Sequence, residues 1–201
     1  FNITGSSQAD TIKGGAGADT IILDTHLSSL DTIDGGAGTD ELRFTDSGSA
    51  TSDLDGVTNV ETVTLGDAAT SVTTVDALVG SGETLTVSAA ALTGTKALTW
   101  DGSAETNGSF NITGSSQADI ITGGAGADTI TGGAGDDTVT AGSGNDTISG
   151  GADTDTIVLG TYLSSLDTID GGAGTDELRF TDSGSATSDL DRVTNVETVT
   201  L

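Results

Sequence analysis

A period of nine residues is the feature that most restricts the fold of this chain. Residues 114–158 divide into five consecutive units, which read GSSQADIIT, GGAGADTIT, GGAGDDTVT, AGSGNDTIS and GGADTDTIV. In each unit an aspartate stands sixth and an aliphatic residue stands eighth, and in the three central units polar residues flank that aliphatic residue. This pattern predicts a very short β-strand with one side chain directed inwards. Because so short a strand is not stable alone, we expect successive units to stack into two parallel sheets around a thin aliphatic core.

Two long passages occur twice in the chain. FNITGSSQAD at residues 1–10 returns at 110–119, and residues 25–65 return at 161–201. The two offsets are 109 and 136 residues, so the second copy is longer by 27 residues, or three units of nine. The later passage differs from the earlier one at two positions, where His26 and Gly56 are replaced by Tyr162 and Arg192. Stacked repeats tolerate insertions of whole units because each unit contacts mainly its neighbours.

The duplication divides the chain into three parts. We predict a first repeat module at 1–65, a β-rich spacer without Gly-Asp turns at 66–109, and a second module at 110–201. The spacer is short for an independent sandwich domain, and its strand-like pieces include ETLTV at 83–87 and KALTW at 96–100. We therefore expect it to continue the stack as further β rungs, with Trp100 in the core.

The charge of the chain is strongly negative, with 31 acidic residues against five Lys and Arg and a formal net charge of −26. Such a chain repels nucleic acids and anionic membrane surfaces, and no stretch is apolar enough to span a bilayer. The absence of cysteine excludes disulfides and thiolate metal sites. Composition alone would predict a disordered chain. Because the repeats predict a regular fold, we expect folding to depend on conditions.

The sixth-place aspartates raise an electrostatic problem, because stacking places their carboxylates in columns of like charge. A divalent cation between the turns would reverse the sign of that interaction. Calcium fits best, since it takes six to eight oxygen ligands in flexible geometry and a glycine-rich turn exposes backbone carbonyls. Magnesium prefers smaller octahedral sites, and zinc or copper prefers His or Cys ligands, which the repeats lack.

The pattern GGxGxDxUx in GGAGADTIT and GGAGDDTVT resembles the calcium-binding nonapeptide of the RTX (repeats-in-toxin) family. The resemblance extends over residues 5–43 and 114–179. It implies an all-β fold, a parallel β-roll or β-solenoid with two units per turn. We expect the spacer to continue it as calcium-poor β rungs. The resemblance also implies that calcium lies between the turns of unit n and unit n+2, held by turn carbonyls and by the sixth-place aspartate.

Transferred to this sequence, the resemblance implies a set of calcium ligands in both copies. The implied carboxylate ligands are Asp10, Asp19, Asp40, Asp119, Asp128, Asp137, Asp146, Asp155 and Asp176. The implied carbonyl-presenting glycines are Gly14, Gly35, Gly123, Gly132, Gly150 and Gly171. Pairing the turn of unit n with that of unit n+2 gives the pairs 14/35, 114/132, 123/141, 132/150 and 150/171, each turn named by its first residue.

Several units depart from the family pattern. GSSQAD lacks the second glycine, and GGADTD carries Asp153 where the family has glycine, which puts the geometry of that turn in doubt. Two units, at 23–34 and 159–170, have twelve residues, and in them Asp31 and Asp167 could replace the sixth-place ligand. About five to seven ions would then bind, offsetting roughly half of the net charge. The acidic passage at 45–55 is expected to be a solvated loop, with Asp46, Asp53 or Asp55 as an alternative ion site.

The sequence offers little support for catalysis. His26 is the only histidine, and its counterpart in the second copy is Tyr162, so we expect a surface role for it. The SSLD stretches lack a base placed to form a nucleophilic triad. A solenoid that contacts polysaccharide would need a groove lined by basic or aromatic residues, which five basic and six aromatic residues disfavour. We expect no enzymatic activity in this chain.

The expected function is that of a calcium-dependent structural module in a large secreted or cell-surface protein, such as an extracellular filament, an S-layer protein or an adhesin. The module would fold and stiffen on binding calcium. The family resemblance implies type I secretion, and unpaired strand edges at the ends of a solenoid favour end-to-end self-association or further identical repeats. The alternative is the calcium-binding region of an RTX enzyme or toxin whose catalytic domain lies outside this chain.

Overall fold

The computed structural model of the chain describes residues 1–45, 54–181 and 190–201, and the strands are the only regular elements in them. In chain order they are β1 Asn2–Thr4, β2 Thr11–Ala16, β3 Thr20–Asp24, β4 Thr32–Ala37, β5 Glu41–Phe44, β6 Val57–Thr58, β7 Thr62–Leu65, β8 Thr70–Thr73, β9 Thr84–Ser88, β10 Leu98–Asp101, β11 Ser109–Thr113, β12 Ile120–Thr122, β13 Thr129–Ala134, β14 Thr138–Thr140, β15 Thr147–Ala152, β16 Thr156–Gly160, β17 Thr168–Ala173, β18 Glu177–Phe180, β19 Val193–Thr194 and β20 Thr198–Thr200. None of the described residues forms a helix long and apolar enough to cross a bilayer.

The strands form three parallel sheets in which each strand pairs with the strand two places later in the chain. All odd-numbered strands join in one ten-stranded sheet, β8 to β20 make a seven-stranded sheet from the even-numbered strands, and β2, β4 and β6 make a third sheet. One turn of the solenoid therefore uses two units. The predicted parallel β-solenoid is confirmed, and so is the stacking of unit n on unit n+2.

The core consists of aliphatic side chains that repeat once per strand. Register pairs Ile130 of β13 with Ile112 on one side and Ile148 on the other, and Ile148 with Ile169 in the next turn. All four side chains are buried. Burying an aliphatic side chain of this size contributes about 1.5–3 kcal/mol. The repeat therefore stacks like on like, and its core grows with every added unit.

The spacer continues the ten-stranded sheet of odd-numbered strands without a break, whereas the ladder of even-numbered strands is interrupted between β6 and β8. β9 pairs with β7 of the first copy and with β11 of the second, and β10 lies between β8 and β12. Trp100 is fully buried and meets Phe110 edge to face, with ring centroids 5.7 Å apart. The prediction that residues 66–109 extend the stack with Trp100 in the core is confirmed. The division of the chain into modules remains a prediction.

The 27 additional residues change the sheet in which the duplicated passage lies. Three units make one and a half turns, so ELRF belongs to the ten-stranded sheet as β5 but to the seven-stranded sheet as β18. The twelve-residue unit changes sheets in the same way, since its strand β4 is in the three-stranded sheet and β17 in the ten-stranded one. Otherwise identical segments of the two copies are thus presented on different faces of the solenoid.

Candidate metal centres

The sixth-place aspartates form hydrogen-bonded columns along the solenoid. Each stands directly before a strand, and in seven of them the backbone N–H donates to the Oδ1 atom of the aspartate two units later. In one column the N–H of Asp119 donates to Asp137 at 2.8 Å, that of Asp137 to Asp155 at 2.9 Å, and that of Asp155 to Asp176 at 2.8 Å. Parallel stacking therefore places one carboxylate per turn directly above the next.

The twelve-residue units keep this register. In the second column the N–H of Asp128 donates to Oδ1 of Asp146 at 2.9 Å, and the N–H of Asp146 donates to Oδ1 of Asp167 at 2.8 Å. In the first copy the N–H of Asp10 reaches Asp31 in the same manner at 2.8 Å. The three additional residues are accommodated before the aspartate, so the predicted replacements occupy the sixth place. That they bind calcium remains a prediction.

Most carboxylates of the columns are deeply buried. The buried members are Asp19, Asp31, Asp40, Asp119, Asp128, Asp137, Asp146, Asp155, Asp167 and Asp176, and all of them are at most 4% exposed. Within the described residues, no Lys or Arg side chain forms an ion pair with them; the N-terminal ammonium, 3.3 Å from Asp19, is the one cationic neighbour. A buried charge without a compensating partner is strongly unfavourable.

The second oxygen divides the column carboxylates other than Asp146 into two groups. In the first group Oδ2 is buried and accepts no hydrogen bond from the residues that the structure describes; the members are Asp19, Asp40, Asp137, Asp155 and Asp176. In the second group Oδ2 accepts a backbone N–H from its own turn; the members are Asp10, Asp31, Asp119, Asp128 and Asp167. Four donors in the second group are serines, which stand three or four residues before the aspartate.

The columns are electrostatically unfavourable in the metal-free fold. Burial raises the pKa of Asp137 to about 7 and the pKa values of Asp146 and Asp155 to about 6, and neighbouring carboxylates add to each increase. Burial also raises the pKa of Asp128, with a smaller contribution from the charge of Glu105. Near pH 7 the metal-free fold therefore holds charges that burial and repulsion both oppose.

In several units the first glycine lies where two oxygen atoms converge. A Cβ on Gly150 would overlap the carbonyl oxygen of Gly171, two units later, and Oδ2 of Asp155 in its own turn. The same arrangement recurs at Gly14, Gly123 and Gly132. At Gly35 and Gly171 the facing carbonyl belongs to Asn59 and Asn195, both with positive φ near 50°. Glycine is required there because a side chain would fill the space between carbonyl and carboxylate.

These atoms suit a hard cation with oxygen ligands. The described ranges contain no group of three or more His, Cys, Asp or Glu side chains placed to hold a metal ion, so a cation would need backbone carbonyls as well as carboxylates. Carbonyl and carboxylate oxygens are the ligands that calcium prefers. The unpartnered Oδ2 atoms and the glycine cradles therefore fit calcium between turns n and n+2, as the family resemblance implies.

The departures from the repeat pattern leave the turns intact. Asp153 adopts a φ of 79°, which is unusual for a residue with a side chain. Its N–H nevertheless donates to Ala173 at 2.8 Å, and Gly151 keeps its register with Gly133 and Gly172. The geometry of GGADTD, doubtful from sequence, is thus retained.

His26 is exposed as expected. Asp55 is also exposed, whereas Asp46 and Asp53 lie outside the described residues.

Sequence reasoning missed the residues that end two columns. Glu61 accepts the N–H of Asp40 and Glu197 accepts the N–H of Asp176, each at 2.7 Å. Both glutamates stand directly before a Thr-Val-Thr triplet, just as the aspartates stand before their strands. That shared position was the available signal. A longer acidic side chain thus takes the sixth place where the Gly-Asp turns give way to other rungs.

Comparison with known families agrees with this geometry. The family model described as "RTX calcium-binding nonapeptide repeat (4 copies)" matches residues 2–25, 30–44, 111–139, 131–161 and 165–180, which together make up more than half of the chain. A search of curated proteins finds no match. The matched segments contain every sixth-place aspartate of the columns. The chain therefore belongs to the RTX family of calcium-binding repeats.

Proposed function

We propose that this chain is a calcium-dependent structural module of a large secreted or cell-surface protein, which folds and stiffens when calcium binds. The observation that carries the proposal is the set of five buried Oδ2 atoms that accept no hydrogen bond from any described residue. Each lies beside a glycine cradle in a turn that stacks on the next. A cation between the turns would turn the repulsion within a column into attraction.

Folding and calcium binding are coupled in this proposal. The unfolded chain brings no two turns together, so the binding free energy becomes folding free energy. Without calcium, a net charge of −26 and the burial of carboxylates oppose compaction. Extracellular modules typically bind calcium with a dissociation constant of about 10⁻⁴–10⁻³ M. The chain would therefore stay unfolded at low intracellular calcium and fold outside the cell.

An extracellular filament, an S-layer protein or an adhesin is the type of protein that such a module suits. A stack that lengthens by whole units can form a rod, and the near-verbatim duplication favours an array of modules over a single terminal tail. Export through a type I system would pass the chain in its unfolded state. The proposed role is non-enzymatic, since the columns already account for the sixth-place carboxylates.

Small-angle scattering of the full chain tests this function. In chelator the radius of gyration should approach about 48 Å, the value for an unfolded chain of this length. In millimolar calcium it should fall to less than half of that value, with a rod-like cross-section, whereas equal magnesium should have little effect. A small radius already present in chelator would contradict the proposal. Electron microscopy of the calcium-loaded sample should show end-to-end assemblies if the module forms filaments.

A further inference from the structure

Glu105 is a buried carboxylate in the spacer, outside every Gly-Asp turn. It lies between β10 and β11 and is 1% exposed. Its Oε1 atom accepts the N–H groups of Asn107 at 3.0 Å and Gly108 at 2.7 Å. Its Oε2 atom is buried and has no hydrogen-bond partner among the described residues. Half of this carboxylate is therefore satisfied by its own turn, and half is not.

Basic side chains do not compensate this charge within the described part of the chain. Lys96, the one basic residue of the spacer, is 2.7 Å from Asp67 on the surface. A glutamate that is buried without a counter-ion is rare, because ionised carboxylates are strongly disfavoured in a nonpolar interior. The position therefore calls for a positively charged partner that the chain does not supply.

The turn that holds Glu105 stacks on the first full glycine-rich turn of the second module. The N–H of Ala125 donates to the carbonyl of Glu105 at 3.0 Å, and a Cβ on Gly124 would meet the Cβ of Glu105 at 2.9 Å. A Cβ on Gly126 would overlap the carbonyl of Gly108. The turns 102–108 and 123–128 thus face each other as unit n faces unit n+2 elsewhere.

The register shows why a glutamate is needed at this place. The N–H of Phe110 donates to Oδ1 of Asp128 at 2.7 Å, the same contact that each column aspartate makes with the aspartate two units later. Phe110 thus occupies the sixth place of its unit, where it brings no carboxylate. Glu105 stands eighteen residues before Gly123, at the first place of that same unit. The only carboxylate of that unit therefore stands at the other end of its turn.

The environment is open enough for an ion to enter. A groove of about 330 Å³ adjoins Glu105, Gly123 and Gly124, and Tyr162 lies at its border. Asp128, on the facing turn, is also buried. The site therefore combines an unpartnered carboxylate oxygen with the glycine-rich turn of the next unit.

We propose that Glu105 is a ligand of a divalent-cation site for calcium, formed between turn 102–108 and turn 123–128 where the spacer meets the second module. The site lies outside the paired Gly-Asp turns and joins a rung without that motif to the repeat stack. That the ion is calcium rests on the proposed function. That a cation is needed at all follows from the buried, unpartnered Oε2 atom of Glu105.

Counting bound calcium by equilibrium dialysis at millimolar free calcium tests the site in the full chain. Glu105→Gln keeps the size of the side chain and the acceptor for Asn107 and Gly108 but removes the charge. It should bind one ion fewer per chain than the wild type. Glu83→Gln is the matched control, because it removes the same charge from an exposed glutamate of the spacer, and it should bind as many ions as the wild type.

Three outcomes would overturn the proposal, and each has a separate meaning. Equal ion counts for the wild type and both variants would reduce Glu105 to a turn-capping residue and leave the proposed function intact. A wild type that binds no calcium would remove the proposed function together with this site. Should Glu105→Gln fail to fold, calcium-edge anomalous diffraction from wild-type crystals decides: a peak beside Oε2 of Glu105 is expected, and no peak there overturns the site.

Discussion

Oδ1 of Asp155 accepts the backbone N–H of Asp137 at 2.9 Å, while Oδ2 of the same carboxylate is buried with no partner in the described ranges. One oxygen thus fixes the register between two turns, and the other is left for a ligand that the protein does not provide. The same division of roles within one carboxylate recurs along the columns.

Replacing Asp155 by Asn should stabilise the calcium-free fold and weaken its response to calcium. The amide keeps an oxygen for the N–H of Asp137, and its NH₂ group can donate towards the carbonyl of Gly171, which lies beside Oδ2. We expect the calcium concentration at the folding midpoint to rise by about tenfold, or about 1.4 kcal/mol. Circular dichroism during calcium titration measures it. Glu83→Gln, at an exposed site, should leave the midpoint unchanged; equal shifts in both variants would contradict the assignment.

Lowering the pH should favour folding in calcium-free buffer. Burial raises the folded-state pKa of Asp137 to about 7 and of Asp155 to about 6, from an ordinary value of 3.8. The folded state therefore binds protons more tightly than the unfolded state, so its stability rises as pH falls through this range and is lost as pH rises through 6 to 7.

Calcium affinity should decrease as the pH is lowered, since the ligand carboxylates must be deprotonated to bind the ion. Circular dichroism from about pH 8 to about pH 5, above the isoelectric point of about 4.1, should show more β-structure at the acidic end without calcium and a higher calcium midpoint there. If β-structure in calcium-free buffer decreased towards pH 5, the description of the columns would be wrong.

A methyl group at the first glycine of a unit should block the site. In Gly132→Ala the new Cβ would overlap the carbonyl of Gly150 and Oδ2 of Asp137. We expect a loss of about 1–3 kcal/mol in the calcium-bound state, as for overpacked sites, together with a reduced number of bound ions. Thermal unfolding in calcium measures the first effect and equilibrium dialysis the second. Gly80→Ala, at an exposed glycine whose new Cβ meets only the side chain of Glu83, should behave like the wild type.

The core of the spacer should tolerate Phe better than Ala at position 100. Trp100→Ala removes a fully buried side chain and should cost about 3–5 kcal/mol. Trp100→Phe keeps an aromatic ring against Phe110 and removes an indole N–H that has no partner among the described residues. Its cost should therefore be clearly smaller. Chemical denaturation in calcium compares the two variants, and equal costs would show that the ring contact contributes nothing.

Deleting one nine-residue unit should move the second copy to the opposite face of the solenoid, and deleting two units should return it to its original face. Deleting residues 132–140 shifts everything after them by half a turn, whereas deleting 132–149 shifts it by a full turn, which is about 5 Å along the axis. Spin labels on Thr25→Cys and Thr161→Cys, both at exposed positions, report the separation. The single deletion should change the distance by more than the axial shift, and the double deletion should restore a value near that of the wild type. A steady shortening with each deleted unit would contradict the two-unit turn.

Much of the fold could be predicted because the period of nine fixes the register by itself. Once Ile130 must stack on Ile148, the aspartates before them must stack too, so the columns followed from spacing alone. The change of sheet between β5 and β18 is also contained in the length difference, given two units per turn.

Other features depend on contacts that no period encodes. Whether Oδ2 of an aspartate is partnered depends on the local path of the backbone, such as the N–H of Ser164 turning towards Asp167. Glu61 and Glu197 interrupt the pattern, because a longer acidic side chain takes the place of the aspartate there. Their roles became visible only when the stacked turns showed which N–H groups they accept.

Far-UV circular dichroism of the full chain, recorded while free calcium rises from submicromolar to millimolar, tests the central claim most directly. The buried, unpartnered carboxylates predict a disordered spectrum in chelator and a cooperative rise of β-structure near about 10⁻⁴–10⁻³ M calcium. Magnesium at the same concentration should not replace calcium. A full β-spectrum in chelator at about pH 7, unchanged by added calcium, would contradict the account.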